Sequence, residues 1–172
     1  MTFSFRLEPL RDEHDRSLFG SGEDALDRYF QTHVTQDIRR RIANCFVAVD
    51  NITKEVAAYY TLSAASILLV DLPSDEAKRL PRYPSVPAVR IGRLAVDQKF
   101  QRRGLGAALL ADAATRTSKA DAAAFTLLAD AKNDQAVAFY RRFGFRVLAS
   151  QPRTLFLPLA TARKVLLPKD AD

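Results

Sequence analysis

Several features are scarce or missing in this chain of 172 residues, and each absence excludes a class of protein. Cys45 is the only cysteine, so no internal disulfide can form and nothing calls for an oxidising compartment. The longest uncharged run, Val56 to Val70, is shorter than the ~20 residues that cross a bilayer. The chain start lacks the basic segment and apolar block of a secretory signal. We therefore predict a cytoplasmic protein with no membrane role.

The composition is that of a folded, basic protein. With 48% hydrophobic and 27% charged residues, the chain can bury a core, and its length suits a single domain over 1–172. Lys and Arg number 26 against 20 Asp and Glu, a net charge of +6. Such an excess favours an anionic partner, either a phosphate-bearing cofactor, a nucleic acid or an acidic surface.

The first half of the chain contains signals for strands and one helical region. Alternating apolar residues predict a strand from Phe3 that ends near Pro9. Leu26 begins a series of apolar residues at helical spacing, which predicts one or two amphipathic helices over Glu23 to Ile42. Two β-rich runs, 45–49 and 56–63, flank a polar turn and predict an antiparallel hairpin.

The second half alternates between strands and helices. The proline-rich segment from Asp71 to about Pro87 is predicted to lie outside regular sheet, apart from a short helix at 74–80. After it we predict strands at 88–97, 124–130, 145–149 and 154–159, and helices at 105–118 and 133–143. This alternation predicts parallel strands joined by crossover helices, so the fold class is mixed α/β.

The most specific segment is a basic, glycine-containing loop between a predicted strand and a predicted helix. Gly104 and Gly106 remove side chains from a helix start whose unpaired N–H groups attract anions, and Arg102 and Arg103 add positive charge. A P-loop is excluded because its Gly-Lys-Ser/Thr sequence is absent, and Leu109 argues against a dinucleotide fingerprint. Taken alone, the loop is compatible with a diphosphate site or with a plain solvated turn.

A second motif, about thirty residues later, indicates which protein family has such a loop. Gln101-x-x-Gly104-x-Gly106, followed by Asn133-x-x-Ala136-x-x-Phe139-Tyr140-x-x-x-Gly144-Phe145, resembles the acetyl-CoA site of the GNAT acetyltransferases. The resemblance implies a GNAT fold with a central mixed sheet of about six to seven strands, antiparallel in its first half and parallel around the acetyl-CoA site. It implies cofactor contacts from Leu94, Ala95, Val96, Gln101, Arg102, Arg103, Gly104, Leu105, Gly106, Ala107, Asn133, Ala136 and Phe139.

Within that family pattern, the loop would hold the CoA diphosphate through its N–H groups, and Leu94 to Val96 would pair with the pantetheine arm. Arg102 departs from the pattern, because relatives frequently have glycine there, and a positive φ at this residue would be strained. Apolar spacing alone would make 136, 139, 140 and 143 a helix core face. We expect Phe139 and Phe143 to belong to such a core face, and Tyr140 to have a catalytic role instead.

The resemblance makes Tyr140 the general acid that protonates the departing CoA thiolate, since a phenol is protonated at neutral pH. No residue stands out as a general base. Four carboxylates are available, but we expect each to cap, pair or face solvent, and we expect His14 and His33 on the surface. These carboxylates are Glu55, Asp97, Asp130 and Asp134. An α-amine with a pKa of ~8 is partly neutral already, so it needs no base. We predict no metal.

Three further segments, 19–30, 59–63 and 80–87, extend the resemblance to the GNAT toxins of bacterial toxin–antitoxin pairs, of the TacT and AtaT type. This implies acetylation of the α-amine of aminoacyl-tRNA, which blocks translation, together with a ribbon-helix-helix antitoxin and a homodimer. Basic residues concentrate between Lys78 and Arg116, and Arg39 to Arg41 form a second cluster. The candidates for tRNA contact are Arg39, Arg40, Arg41, Arg90 and Arg93.

Two alternatives stay open at this stage. The chain could be an acetyltransferase of a small amine or of a protein or peptide amine, which would leave charged tRNA unmodified. It could also be a non-catalytic module that binds CoA or nucleic acid, although a binding module has no need of a tyrosine at the sulfur. The sequence does not identify the preferred aminoacyl group.

Overall fold

The computed structural model describes residues 4–167, so Phe3 of the first predicted strand lies outside them. The strands are β1 (Phe5–Pro9), β2 (Asn44–Asp50), β3 (Val56–Leu68), β4 (Ser85–Val96), β5 (Thr126–Asp130), β6 (Arg146–Leu148) and β7 (Gln151–Pro158). The helices are α1 (Asp24–Arg28), α2 (Val34–Arg39), α3 (Ser74–Ala77), α4 (Leu105–Lys119), α5 (Asp134–Arg142) and α6 (Leu159–Val165). The strand order in the sheet is β1-β2-β3-β4-β5-β7-β6. This confirms the predicted mixed α/β class.

The chain divides into two compact units. The first contains the residues up to Ser63 together with Gly92–Asp112, and the second contains Ala64–Ile91 and the residues from Ala113 onward. β3, β4 and α4 therefore each contribute to both units. Within residues 4–167, no helix has the length and apolarity needed to cross a membrane. The organisation of 1–172 as a single domain stays a prediction.

In the first unit, three strands pair in antiparallel fashion. Phe5 pairs with Asp50 between β1 and β2, and Cys45 pairs with Thr61 between β2 and β3. The predicted hairpin is thereby confirmed. β3 nevertheless continues past its predicted end at Ser63, because pairing within the sheet extends a segment whose small side chains have little strand preference of their own.

The core of the first unit is built around three aromatic rings. Phe30 and Tyr59 stack at 4.2 Å, and Phe19 packs edge-on against both, at 4.9 and 5.5 Å. The Tyr59 hydroxyl donates a hydrogen bond to the Leu26 carbonyl at 2.7 Å. Each such aromatic pair contributes about 1 kcal/mol beyond its area burial. Together they anchor the helical region of residues 24–39 against β3.

The predicted helix of residues 23–42 is interrupted by one π-helical turn, Tyr29–His33, between α1 and α2. Such a turn leaves a carbonyl without its usual helical partner. Here Arg16 supplies a replacement, since its Nη1 donates to the Phe30 carbonyl at 2.7 Å and its Nη2 donates to Thr35 Oγ1 at 3.0 Å. A distant side chain therefore holds the turn, which the local sequence does not reveal.

In the second unit, β4 and β5 are parallel, with Ala88 opposite Thr126 and Ile91 opposite Ala129. β7 is antiparallel to both β5 and β6 and lies between them. The prediction of parallel pairing throughout the second half is therefore wrong for the last strands. β6, which follows α5, runs in the same direction as β5, as predicted. β7 runs in the opposite direction and lies between these two strands.

Two further boundaries differ from the sequence prediction. β4 begins at Ser85, so the expectation that the chain stays outside regular sheet until about Pro87 is wrong. Pro87 has no N–H to donate, but its carbonyl accepts a hydrogen bond from the Phe125 N–H at 2.9 Å, which the strand tolerates. Leu159, predicted to end the last strand, instead begins α6.

Candidate active site

The basic loop that follows β4 has an unusual backbone. Arg102 has a φ of 65° and Gly104 a φ of 78°, both in the left-handed region. Gly104 adopts this conformation without penalty, whereas an arginine is strained by about 1 kcal/mol. The strain anticipated at Arg102 is therefore present.

The loop leads into the first turn of α4, where a helix offers N–H groups to an anion. The first helical hydrogen bond runs from the Ala108 N–H to the Gly104 carbonyl at 3.2 Å. The N–H groups of Leu105, Gly106 and Ala107 thus precede it and have no partner within the helix. Residues 101–104 are exposed, and a Cβ built on Gly104 would meet no atom within 4 Å. A diphosphate fits these donors and this open approach.

Gln101 ties this loop to the end of β4. Its Nε2 donates to the Val96 carbonyl at 3.0 Å and to the Ser21 carbonyl at 3.1 Å. Gln101 was predicted to contact the cofactor, and the structure gives its side chain a positioning contact within the first unit. Nearby, the guanidinium of Arg103 lies 5.4 Å from the centre of the Phe100 ring.

The side chain of Asp97 makes further contacts at the end of β4. It is 4% exposed; its Oδ2 accepts the Gly20 N–H at 3.0 Å and its Oδ1 accepts the Lys99 N–H at 2.9 Å. The Gln98 N–H returns a bond to the Gly20 carbonyl at 2.9 Å. The backbone at Gly22 favours glycine because its φ is +94°, a conformation in which other residues are strained. Asp97 therefore holds backbone rather than acting as a base.

The other three carboxylates considered as bases are ion-paired. Glu55 pairs with Lys99 at 2.8 Å, Asp130 with Arg90, and Asp134 with Arg153 at 3.2 Å. The hydrogen bond from Lys99 lowers the pKa of Glu55, which makes it a weaker base. Each of these carboxylates was expected to cap, pair or face solvent, and all three are paired.

The two histidines differ in exposure. His33 is exposed, as predicted. His14 is not a surface residue, because its side chain is 6% exposed and lies 2.7 Å from Glu8. The Glu8 carboxylate gives the ring nitrogen of His14 a polar partner, which allows this side chain to be buried.

The strand end before the loop presents the backbone predicted to pair with pantetheine. Ala95 is buried in the core of the first unit, whereas Leu94 and Val96 are half-buried, as expected for alternate faces of a strand. One residue earlier, the Arg93 N–H donates to Thr61 Oγ1 at 3.1 Å. Ala95 therefore has a packing role in addition to any contact made by its backbone.

Tyr140 lies on α5 in the second unit. Asn133 caps this helix, and its Oδ1 accepts the Ala136 N–H at 2.9 Å. Tyr140 is 3% exposed and packs against Phe139 and Phe145 at 5.2 Å, while Phe139 and Phe143 are only half-buried. The expectation that Phe139 and Phe143 form the core face, with Tyr140 the exception, is therefore wrong. Burial, and to a lesser degree the charge of Asp130, raises the pKa of Tyr140 above its usual range, so it stays protonated at neutral pH.

The basic candidates occupy different settings. Arg39, Arg40 and Arg41 are exposed at the end of α2, and Arg41 has a φ of 59°. Arg90 is engaged by Asp130, whereas the guanidinium of Arg93 lies over the Tyr29 ring. Within residues 4–167, no group of three His, Cys, Asp or Glu side chains is placed to hold a metal.

Comparison with known proteins relates this loop and helix to a family. The sequence model of an acetyltransferase (GNAT) domain matches residues 77–155. A tRNA-acetylating toxin of Mycobacterium tuberculosis is 33% identical over 159 residues, which cover 91% of this chain and 93% of the relative. The chain belongs to the GNAT acetyltransferases.

Two solved structures of the toxin AtaT extend the likeness of this GNAT chain to the fold. AtaT complexed with acetyl-methionyl-tRNAfMet has a TM-score of 0.83 at 30% identity, covering 93% of this chain and 98% of the other. A Tyr-to-Phe mutant of AtaT bound to acetyl-CoA and to the C-terminus of the antitoxin AtaR has a TM-score of 0.79 at 26% identity, covering 96% and 100%. The predicted GNAT fold is thereby confirmed.

Proposed function

We propose that this GNAT acetyltransferase is the toxin of a toxin–antitoxin pair and transfers the acetyl group of acetyl-CoA to the α-amine of aminoacyl-tRNA, which blocks translation. The observation that carries the proposal is the relation to the tRNA-acetylating toxin of M. tuberculosis, which extends over nearly the whole of both chains. AtaT, whose fold this chain shares, is seen in complex with an acetylated aminoacyl-tRNA.

The coenzyme supplies an acetyl thioester, and its diphosphate would bind the N–H groups at the start of α4. Leu105, Gly106 and Ala107 provide these donors, and the left-handed conformation at Arg102 and Gly104 shapes the loop before them. The backbone of Leu94 to Val96 would pair with the pantetheine arm, and Asn133, Ala136 and Phe139 would contribute from α5. Gln101 and Asp97 maintain the loop through the contacts described above.

Tyr140 would hold the proton needed by the sulfur. In the balanced reaction, the neutral amine forms the new C–N bond, the C–S bond breaks, the amine loses one proton and the thiol gains one. A phenol is protonated at neutral pH, and burial keeps Tyr140 in that form, so its hydroxyl can donate a hydrogen bond to developing charge on sulfur. No base is required, because an α-amine with a pKa of ~8 is partly neutral at physiological pH.

The acceptor, partner and location follow from the same proposal. Arg39, Arg40, Arg41, Arg90 and Arg93 would contact tRNA mainly through phosphates, so binding should weaken steeply with salt. We propose a ribbon-helix-helix antitoxin as the partner, a homodimer as the active form and the cytoplasm as the location. AtaT supports a protein antitoxin, since it is seen with the C-terminus of AtaR.

The decisive test is acetyl transfer with purified protein. The chain is incubated with labelled acetyl-CoA and a mixture of charged tRNAs, and we expect labelled acetyl-aminoacyl-tRNA. Tyr140→Phe should abolish turnover and growth arrest while acetyl-CoA binding and melting temperature stay nearly unchanged. Tyr83→Phe is the matched control, because Tyr83 is 66% exposed and loses the same hydroxyl.

Two outcomes would support the alternatives. Labelled polyamine or peptide, with charged tRNA unmodified, would identify a small-amine or peptide acetyltransferase. Binding of CoA or tRNA without any turnover would identify a non-catalytic module. Full activity in Tyr140→Phe would remove its role as the acid.

A further inference from the structure

The side chain of Arg93 on β4 rests on an aromatic ring. Its guanidinium carbon lies 3.5 Å from the centroid of the Tyr29 ring. At that separation an edge-on guanidinium would drive a nitrogen into the ring, so the two groups must lie face to face. A cation stacked in this way is stabilised by the ring's π electrons, and its position is restricted.

Tyr29 is itself held in place from two sides. It is 7% exposed, and its hydroxyl donates a hydrogen bond to Asp37 Oδ2 on α2 at 2.7 Å. It is also the first residue of the π-helical turn, whose Phe30 carbonyl is bound by Arg16. The ring beneath Arg93 is therefore fixed before any ligand arrives.

Among the residues that the structure describes, none accepts a hydrogen bond from the N–H donors of the Arg93 guanidinium. These donors lie in the guanidinium plane and point away from the ring, in the geometry that binds a phosphate through two parallel hydrogen bonds. Within residues 4–167, no carboxylate forms an ion pair with Arg93, whereas Arg90 on the same strand is engaged by Asp130. A half-buried cation with free in-plane donors is suited to an anionic ligand.

We infer that Arg93 binds a phosphate of the RNA acceptor and that Tyr29, fixed by Asp37, is the positioning residue that aims its guanidinium. This inference rests on the proposed function. An RNA phosphate is favoured because the diphosphate of the coenzyme has its own donors at the start of α4. The helix that carries Asp37 also ends in the exposed run of Arg39 to Arg41, which adds attraction for a polyanion.

The test compares substitutions at both positions. Arg93→Gln should raise the KM for aminoacyl-tRNA about tenfold, the loss of a charged hydrogen-bond donor, and lower the salt-dependence slope of tRNA binding by about one. Arg93→Lys should keep that slope while raising this KM, because an ammonium retains the charge without the planar donors. Both should leave the KM for acetyl-CoA unchanged. Arg163→Gln, on the exposed face of α6, is the charge-matched control.

A double-mutant cycle tests the positioning role of Tyr29. Tyr29→Leu should raise the KM for aminoacyl-tRNA when Arg93 is present and have no further effect on it in the Arg93→Gln background. Tyr29→Phe keeps the packing and removes only the bond to Asp37, so it serves if the leucine variant fails to fold. An equal effect of the Tyr29 substitution in both backgrounds would overturn its role.

The remaining outcomes separate this inference from the proposed function. If the wild type acetylates aminoacyl-tRNA but Arg93→Gln behaves like Arg163→Gln, the inference is overturned and the function stands. A raised KM for acetyl-CoA in Arg93→Gln would also overturn it, by assigning Arg93 to the coenzyme. If the wild type neither binds nor acetylates charged tRNA, the proposed function fails and the inference fails with it.

Discussion

Replacing Asp97 by asparagine should disturb the loop that we propose binds acetyl-CoA, without altering Tyr140, the proposed acid. The buried carboxylate accepts the N–H groups of Gly20 and Lys99, one on each oxygen. In Asp97→Asn one acceptor becomes an NH₂ group that faces an N–H, so one charge-assisted bond is lost and two buried donors oppose each other. Such a loss costs about 3 kcal/mol. If the 172 residues unfold as one cooperative unit, that lowers Tm by roughly 6–12 °C.

The assay combines thermal unfolding with steady-state kinetics. Asp97 and Gln98 both bind Gly20, and the next residue, Ser21, accepts a hydrogen bond from Gln101 of the loop. Loss of the Asp97 bond should therefore also make the loop less rigid. The KM for acetyl-CoA should then rise several-fold, with a smaller effect on kcat. Asp121→Asn is the control, since Asp121 is exposed and the same charge is removed. If both variants show the same Tm and the same KM for acetyl-CoA, Asp97 does not hold the loop and the reasoning is refuted.

Three further results are expected. Gly104→Ala should lower stability by about 1 kcal/mol in urea unfolding, from backbone strain alone, because φ is +78° and no atom lies within 4 Å of the new methyl group. The hydrogen bond from His14 lowers the pKa of Glu8, so its carboxylate stabilises the fold above the unfolded pKa of ~4.3 and that contribution is lost as the pH falls. Glu8→Gln should accordingly flatten the acid limb of the stability–pH curve, and an unchanged limb would contradict this. Since burial raises the pKa of Tyr140, kcat/KM should rise with pH as the amine is deprotonated and show no descending limb from Tyr140 up to pH ~10.

Much of the first unit is predictable from the sequence because its signals are local. Two β-rich runs and the polar turn between them predicted the hairpin of β2 and β3, and helical spacing from Leu26 predicted the helical region. The π-helical turn within that region was not predictable. It depends on Arg16, which lies well outside the helix and binds the Phe30 carbonyl.

The strands of the second half of the chain were likewise predictable only in part. The alternation of strand and helix correctly predicted the parallel pair β4 and β5. It did not predict that β7 lies between β5 and β6, since either neighbour of β5 gives the same local pattern of apolar residues. Pro87 likewise argues locally against a strand, and only its carbonyl partner Phe125 explains its place in β4.

The sequence by itself determined the family and located the glycine-containing loop and the tyrosine motif that we propose as the acetyl-CoA site, because both motifs are made of closely spaced residues. Only the tertiary structure decided that Asp97 holds backbone, that Tyr140 is more buried than its neighbours on α5, and that Arg93 rests on Tyr29. Each of these depends on which atoms meet across distant parts of the chain. Side-chain spacing carries no information on such encounters, so the roles of these residues had to be read from the fold.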